Sequence, residues 1–266
     1  MHAPGHSRFT SDDHPLVRKL ESIIGLSEGE KQALMSLPLQ IMMLKGDQDI
    51  VREGDRPSRC CLFLDGIGCT YRVTTDGRRQ IVAFNIPGSI PDLQSLHLET
   101  LDTSVATLEP CRVGFIQHDV LHDLCDHSPR IAAAFWRKAL IDAAVYREWV
   151  INIGQRDAYK RMAHLLCEMM ARLNAIGLAS DRSCDLPITQ AEFGDALGIS
   201  TVHVNRVLQQ MRAEDLVRTK GTVLTILDWE ALKQIGGFDP IYLHLRPQQL
   251  CFQRGAPQDT YVPPQL

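Results

Sequence analysis

Polar side chains between residues 200 and 210 have the chemistry needed to read DNA base edges. Thr201, Asn205 and Arg206 share one side of a predicted helix. An Arg side chain can pair with O6 and N7 of guanine, and an Asn side chain with N6 and N7 of adenine. With flanking positions, the predicted DNA-contacting set is Thr189, Gln190, Ser200, Thr201, Val202, His203, Asn205, Arg206, Gln209, Arg218 and Lys220.

The helix that carries these side chains is predicted to be the second of a closely spaced pair. Thr189 and Glu192 form a capping box that begins the first helix. Gly198 permits a left-handed turn, and Ser200 can cap the second helix. The apolar side of the second helix consists of Val204, Val207, Leu208 and Met211. Two helices joined by a tight glycine turn predict a helix-turn-helix.

Residues 216–226 predict a β-hairpin, or wing, that turns at Lys220 and Gly221. Arg218 and Lys220 would then lie beside phosphates, where they add affinity without reading sequence. The alternative is an ordinary helical hairpin with a solvated polar face. Because capping box, turn glycine, apolar stripe and wing follow one another in this order, the pattern favours DNA binding.

An antiparallel β-domain is predicted ahead of these helices, within residues 20–128. Between Leu39 and Ile116, short runs rich in Val, Ile, Phe and Thr are separated by glycines every 11 or 12 residues. Asp76-Gly77 predicts a type I′ hairpin turn, and Asp65-Gly66 repeats the signal one strand earlier. This spacing is typical of a β-roll or jelly-roll-like sandwich.

A long helix is predicted over residues 129–154, between the two domains. Phe135, Ala139, Asp142, Tyr146 and Trp149 are spaced four, three, four and three residues apart, as in a coiled-coil seam, and form the predicted dimer interface. The alternative is a helix buried against its own β-domain. A second helix is predicted to follow from residue 155 to residue 173, and residues 179–185 read as a loop.

Composition excludes several classes of protein. The chain has 266 residues, 44% of them hydrophobic, and a net charge of −4, so a DNA-binding surface must be a local patch. No apolar run approaches the length of a membrane span, which predicts a cytoplasmic protein without a membrane partner. The eight cysteines contain no Cys-x-x-Cys motif, which favours reduced thiols.

Two further motifs could form a catalytic site or a metal site. Ser27 lies in a Gly-x-Ser-x-Gly pattern like a hydrolase nucleophile elbow, but Ser27 with Glu30 also forms a capping box. His118, His122 and Cys125 share one helix face and could ligate zinc, yet the sequence offers no fourth ligand. We therefore predict neither an enzyme nor a metal site.

These motifs together resemble the CRP/FNR superfamily of bacterial transcription regulators over residues 20–235. The resemblance is most specific from Leu186 to Val217, and it extends to Gly54-Asp55 and Pro87-Gly88 of the β-domain. It implies an α+β fold: an N-terminal cyclic-nucleotide-binding-like β-roll sensor, a dimerisation helix and a C-terminal winged helix-turn-helix. It also implies a homodimer on a palindromic double-stranded DNA operator, with RNA polymerase as a partner if the protein activates transcription.

The chain departs from the family pattern at the ligand site. The resemblance places an effector pocket at Gly88, Asp92, Leu93, Asp102, Thr103 and Ser104. No Lys or Arg occurs between Arg79 and Arg112 to pair with a cyclic phosphate, so cyclic AMP is not the expected effector. An iron-sulfur cluster is not expected either, because no cysteine precedes Cys60. We therefore predict that the protein binds no cofactor.

The predicted organisation is a tail (1–19), the sensor domain (20–128), the dimerisation helix (129–154), the DNA-binding domain (155–235) and a second tail (236–266). The alternative function is a sensor or adaptor whose helix-turn-helix binds protein.

Overall fold

The computed structural model describes residues 14–249. The N-terminal part is a two-sheet antiparallel roll, as predicted. One sheet has the strand order β1-β7-β3 and the other the order β2-β6-β4-β5. The strands are β1 (Gln40–Leu44), β2 (Asp49–Val51), β3 (Arg59–Asp65), β4 (Gly68–Val73), β5 (Arg79–Asn85), β6 (Ser104–Thr107) and β7 (Cys111–Gln117). The two predicted turns differ from expectation in detail.

The turn between β4 and β5 connects a hairpin, but it is not type I′. Only Gly77 has a positive φ, of 80°, whereas a type I′ turn requires positive φ at both central residues. The Thr74 hydroxyl accepts from the Arg78 amide and so closes the loop from the side. The turn at Gly66 joins strands of different sheets, so it is a crossover and not a second hairpin.

A helix that the sequence did not predict covers the roll. The helix α1 (Pro15–Glu21) lies within the segment expected to be a tail, and the prediction is wrong for residues 15–19. Leu16, Val17 and Leu20 have no exposed surface, and they share a core with Leu62 of β3. Such burial stabilises each side chain by about 1.5–3 kcal/mol. The helix α2 (Glu28–Met35) follows.

The remaining helices lead from the sensor to the DNA-binding domain. They are α3 (His118–His127), α4 (Pro129–Gln155), α5 (Ala158–Ala175), α6 (Gln190–Leu197), α7 (Thr201–Ala213) and α8 (Trp229–Gly236). The predicted long helix is therefore present, and its break at Arg156 and Asp157 is capped by the Asp157 carboxylate, which accepts from the Lys160 amide. Beyond α8, a 3-10 turn spans Pro240–Leu243.

The segment predicted as a loop before the helix-turn-helix is a small hairpin instead. The strands β8 (Ala179–Ser180) and β9 (Ser183–Asp185) are joined by Asp181 and Arg182, which both have positive φ. The sheet continues through β11 (Val223–Ile226) to β10 (Val217–Lys220) in the order β10-β11-β9-β8. Two-residue and three-residue strands carry too little alternation to be recognised from sequence. The wing is therefore the outer hairpin of a four-stranded sheet.

Candidate DNA interface and sensor domain

The helices α6 and α7 form the predicted helix-turn-helix. Glu192 donates its amide to the Thr189 hydroxyl at 3.3 Å, and the Thr189 amide donates to the Glu192 carboxylate at 2.6 Å, which confirms the capping box. Gly198 has φ +66°, and the Ser200 hydroxyl accepts from the His203 amide. Gly194 is also required, because a Cβ there would lie 2.7 Å from the Ile199 carbonyl oxygen. Sequence reasoning missed this close approach.

The polar side of α7 faces solvent. The side chains of Val204, Val207, Leu208 and Met211 are buried, as predicted. The opposite side exposes Thr201, Val202, His203, Arg206 and Gln209. Asn205 is half-buried, and its Nδ2 donates to Gln190 Oε1 at 3.1 Å, so that two of the predicted residues contact each other. The exposed hydroxyl, imidazole, guanidinium and amide groups on this side can form hydrogen bonds with base edges.

The wing is attached to α7 by a side-chain hydrogen bond. Arg212 of α7 donates to the Thr219 hydroxyl of β10 at 3.2 Å. Gly221 at the tip of the hairpin has φ +61°. Arg218 and Lys220 are exposed on β10. This strand follows α7 in the chain, as predicted for a winged helix-turn-helix. The wing and α7 therefore form one cationic, donor-rich surface.

The helix α4 exposes a different apolar stripe from the predicted one. Phe135 and Trp149 are 5% and 6% exposed because they pack in the protein's own cores, so their assignment to the dimer interface is wrong. Asp142 pairs with Lys138 at 2.5 Å. The exposed stripe is rotated by about one residue position and consists of Trp136, Ala139, Leu140, Tyr146 and Val150, with the half-buried Ala143 between them. Ala139 and Tyr146 belong to both sets.

Two of the six residues predicted to line the effector pocket, Gly88 and Asp92, are covered by the protein's own chain. A Cβ on Gly88 would lie 2.3 Å from the Pro15 carbonyl oxygen and 2.5 Å from Lys19 Cβ, so α1 covers this turn directly. Asp92 is 1% exposed, and its carboxylate accepts from the Cys61 amide at 2.9 and 3.1 Å. The assignment of Gly88 and Asp92 to a ligand pocket is therefore corrected.

The other four residues predicted to line the pocket differ in their burial. Ser104 is buried and accepts from the Glu53 amide at 3.0 Å. Leu93 and Thr103 are half-buried, and Asp102 is exposed. A cavity of about 240 Å³ lies elsewhere, between α1, the sensor and the end of α5. Its lining contains none of the six predicted residues; it consists of Pro15, Arg18, Leu64, Asp65, Pro87, Arg112, Ile176 and Leu178.

The residues of the sensor do not fit a cyclic nucleotide. The segment after β5 has no Arg or Lys for a phosphate, α1 covers Gly88, and burial raises the pKa of Asp92 to about 7. A buried carboxyl group near a phosphate would be repulsive when charged.

The described cysteines do not form a cluster site. Six of the seven are buried, and burial raises the pKa of Cys60 to about 12. A thiolate is the form that ligates iron or reacts with oxidants, so a raised pKa opposes both. Among residues 14–249, no three His, Cys, Asp or Glu side chains converge as a metal site. Cys251 lies outside the described residues.

The proposed zinc candidate on α3 is not assembled. His118 Nε2 lies 3.0 Å from the Ser95 hydroxyl, and the His122 ring packs edge-on against His97. Ser27 of the hydrolase-like motif is the N-cap of α2 and bonds reciprocally with Glu30, which confirms its structural reading. In the part of the chain that the structure describes, no helix is long and apolar enough to cross a membrane.

Two family models match the chain, one in each domain. A cyclic nucleotide-binding domain matches residues 42–128, and a Crp-like helix-turn-helix domain matches residues 160–235. Among curated relatives, the fumarate and nitrate reduction regulatory protein of Vibrio cholerae is 23% identical over 212 residues, covering 80% of this chain and 84% of its own. The transcriptional activator protein anr of Pseudomonas aeruginosa is 25% identical over 194 residues, covering 73% and 79%.

Solved structures share the fold. FixK2 from Bradyrhizobium japonicum has a TM-score of 0.68 at 22% identity and covers 75% of this chain and 98% of its own. The c-di-GMP responsive regulator CLP of Xanthomonas campestris has a TM-score of 0.58 at 16% identity, covering 76% and 100%. The predicted fold class is confirmed. The relatives are transcription regulators and not enzymes.

Proposed function

The chain belongs to the CRP/FNR superfamily of transcription regulators, and on that premise we propose that it binds a palindromic DNA operator as a homodimer. The observation that carries the proposal is the exposed polar side of α7, opposite a fully packed apolar side. That polar side carries Thr201, Asn205 and Arg206, whose side chains can contact base edges. Each copy would place one α7 in the major groove of one half-site.

The dimer contact in this proposal is the exposed stripe of α4. Trp136, Leu140 and Val150 are 71%, 56% and 72% exposed, which is unusual for large apolar side chains on one stripe of a soluble helix. The occupant that fits is the same stripe of a second copy, because two such helices can pack along a shared axis. The dimer would carry two α7 helices related by twofold symmetry.

The site residues take separate roles in this account. Arg206 and Thr201 read bases at the N-terminal half of α7, with Asn205 held by Gln190. Arg218 and Lys220 contact phosphates from the wing and supply affinity that does not depend on sequence. The protein acts in the cytoplasm and uses neither cyclic AMP nor an iron-sulfur cluster. If it activates transcription, RNA polymerase is its further partner.

The test of the base-reading role is Arg206→Ala, measured by fluorescence anisotropy on selected operator DNA and on scrambled DNA. Loss of a bidentate Arg contact removes about 1–3 kcal/mol of discrimination, so operator affinity falls at least fivefold while scrambled-DNA affinity changes little. The matched control is Arg78→Ala, which removes the same charge from the β4–β5 turn in the sensor. If both variants bind operator DNA equally, the base-reading role of Arg206 is wrong.

A further inference from the structure

The chain continues past the matched helix-turn-helix domain and returns to the junction between α4 and α5. The family match ends at residue 235, and α8 ends at Gly236. Gly237 then adopts φ +55°, which reverses the chain direction. We call residues 237–246 the strap. Phe238 and Leu243 of the strap are each 3% exposed and lie in the same core as Trp149 of α4.

The strap reaches a buried carboxylate, Glu168 of α5. Glu168 has no exposed surface, and its Oε2 accepts from the Tyr242 hydroxyl at 2.8 Å. Trp149 of α4 donates its Nε1 to the same oxygen at 3.0 Å, and Arg172 of α5 donates to Oε1 at 3.1 Å. A buried carboxylate is costly unless donors surround it. Three elements therefore meet at Glu168: the long helix, the first helix of the DNA-binding domain and the strap.

A second set of contacts holds the strap beside the same junction. His164 of α5 is 1% exposed. Its Nδ1 lies 3.2 Å from the Gly236 carbonyl oxygen, and its Nε2 lies 3.1 Å from the Tyr242 hydroxyl. Its ring stacks on Tyr242 with an angle of 15° between the planes. Arg156, at the break between α4 and α5, donates to Glu148 at 2.8 Å and to the Gly237 carbonyl at 3.4 Å.

Both ends of this network extend to the sensor domain. Arg172 donates its second nitrogen to the Phe84 carbonyl oxygen of β5 at 2.7 Å. At the far end of the strap, the Arg246 amide donates to the Ser22 carbonyl at 2.9 Å, and its guanidinium donates to the Glu21 carbonyl at 3.3 Å. Glu21 is the last residue of α1, which packs on the roll. The strap thus connects the DNA-binding domain to the sensor across the α4–α5 junction.

We propose that the strap is a positioning element that fixes the angle between α4 and α5 through Tyr242 and Glu168. Rotation of α5 against α4 would separate Glu168 from Trp149 or from Tyr242 and leave a buried carboxylate with fewer donors, which is unfavourable. Because α4 carries the proposed dimer stripe and α5 begins the DNA-binding domain, this angle sets how far apart the two α7 helices lie. That last consequence rests on the proposed function.

The test is Tyr242→Phe in the full chain, followed by hydrogen-deuterium exchange without DNA. The variant keeps the ring but removes the hydroxyl group, and with it the hydrogen bonds to Glu168 and His164. The matched control is Tyr71→Phe, which removes a tyrosine bond to a carboxylate, Asp49, at 2.7 Å within the sensor sheet. We expect Tyr242→Phe to speed exchange about tenfold in peptides covering residues 148–161 and 237–246. Tyr71→Phe should leave these peptides unchanged.

A second readout compares operator affinity in the same variants. We expect Tyr242→Phe to bind the operator about tenfold more weakly with the dimer intact, and Tyr71→Phe to bind like the wild type. The proposal is overturned if exchange in residues 148–161 is unchanged by Tyr242→Phe, or if it rises equally in the β-roll, which indicates only global destabilisation. If the local exchange effect occurs but the wild type binds no DNA, the strap proposal stands and the DNA-binding proposal fails.

Discussion

Asp92 is a carboxyl group used by the sensor domain for its own structure. Its two oxygens both accept from the Cys61 amide, and the side chain is almost fully buried. Burial raises the pKa of Asp92 to about 7, and the nearby charge of Lys138 opposes this shift. The protonated form is thus favoured in the folded state relative to the unfolded chain.

The raised pKa predicts how stability changes with pH. Between the unfolded pKa of Asp, about 4, and the folded value of about 7, the folded state binds more protons, so this contribution to stability is lost as pH rises through that window. Asp92→Asn keeps an acceptor and cannot titrate. We expect its melting temperature to fall less than that of the wild type between pH 5 and pH 8, measured by calorimetry. Asp102→Asn, at an exposed carboxylate nearby, is the control, and an unchanged slope in Asp92→Asn would refute the role of Asp92.

Local residue chemistry was predictable where partners lie three residues apart. The capping boxes at Ser27 and Thr189 were correctly identified because both partners are close in sequence. No sequence signal identifies the partner of Asp92, because the Cys61 amide lies 31 residues away on β3. Gly194 had no sequence signal at all, since only the folded turn shows how close the Ile199 carbonyl lies.

At the scale of elements, α4 has apolar residues on both sides because it serves two surfaces. One side fills the protein's own cores through Phe135 and Trp149, and the other exposes Trp136 and Leu140. A spacing of three and four residues identifies the helix but does not say which stripe faces outward. This ambiguity explains the wrong register in the predicted interface.

The exposed stripe of α4 predicts the effect of a charge on dimerisation. Leu140→Glu places like charges near each other across the proposed axis and removes apolar contact, so the dimer should dissociate. The matched control is Leu98→Glu, at a leucine that is 55% exposed in the sensor. Sedimentation equilibrium should give the 29.8 kDa monomer for Leu140→Glu and twice that mass for the control. If both variants sediment as dimers, the exposed stripe of α4 is not the dimer interface.

Because α1 packs on the roll at Gly88, we expect alanine substitutions at Gly88 and Gly54 to lower the unfolding free energy by different amounts. Gly88 and Gly54 have similar positive φ values, 86° and 91°, but only Gly88 is in contact with α1. Gly54→Ala should cost about 1–2 kcal/mol of unfolding free energy from backbone strain alone. Gly88→Ala should cost about 3 kcal/mol, because the added methyl displaces α1 as well. Urea unfolding measures both, and equal losses would mean that α1 does not pack tightly on this turn.

At the scale of the whole molecule, the DNA-binding domain packs directly on the sensor. The Phe84 and Phe193 rings lie 6.5 Å apart within one core that spans both domains. Arg79 of β5 pairs with Asp195 of α6 at 2.7 Å, and Gln80 donates to the Ala196 carbonyl at 3.2 Å. A change in β5 can therefore reach α6 without passing through α4. The order of domains was predictable from sequence, but this contact joins residues 116 positions apart and was not.

In the proposed complex, two copies of the chain read a symmetric operator through α7. The most direct measurement is selection of bound sequences from a random DNA pool by the purified full-length protein without added ligand, followed by footprinting of the selected sites. We predict a palindrome whose half-site centres lie about 34 Å apart, with protection centred on each half. Selection that enriches no sequence, or enriches a single asymmetric site protected by one copy of the chain, would contradict the account.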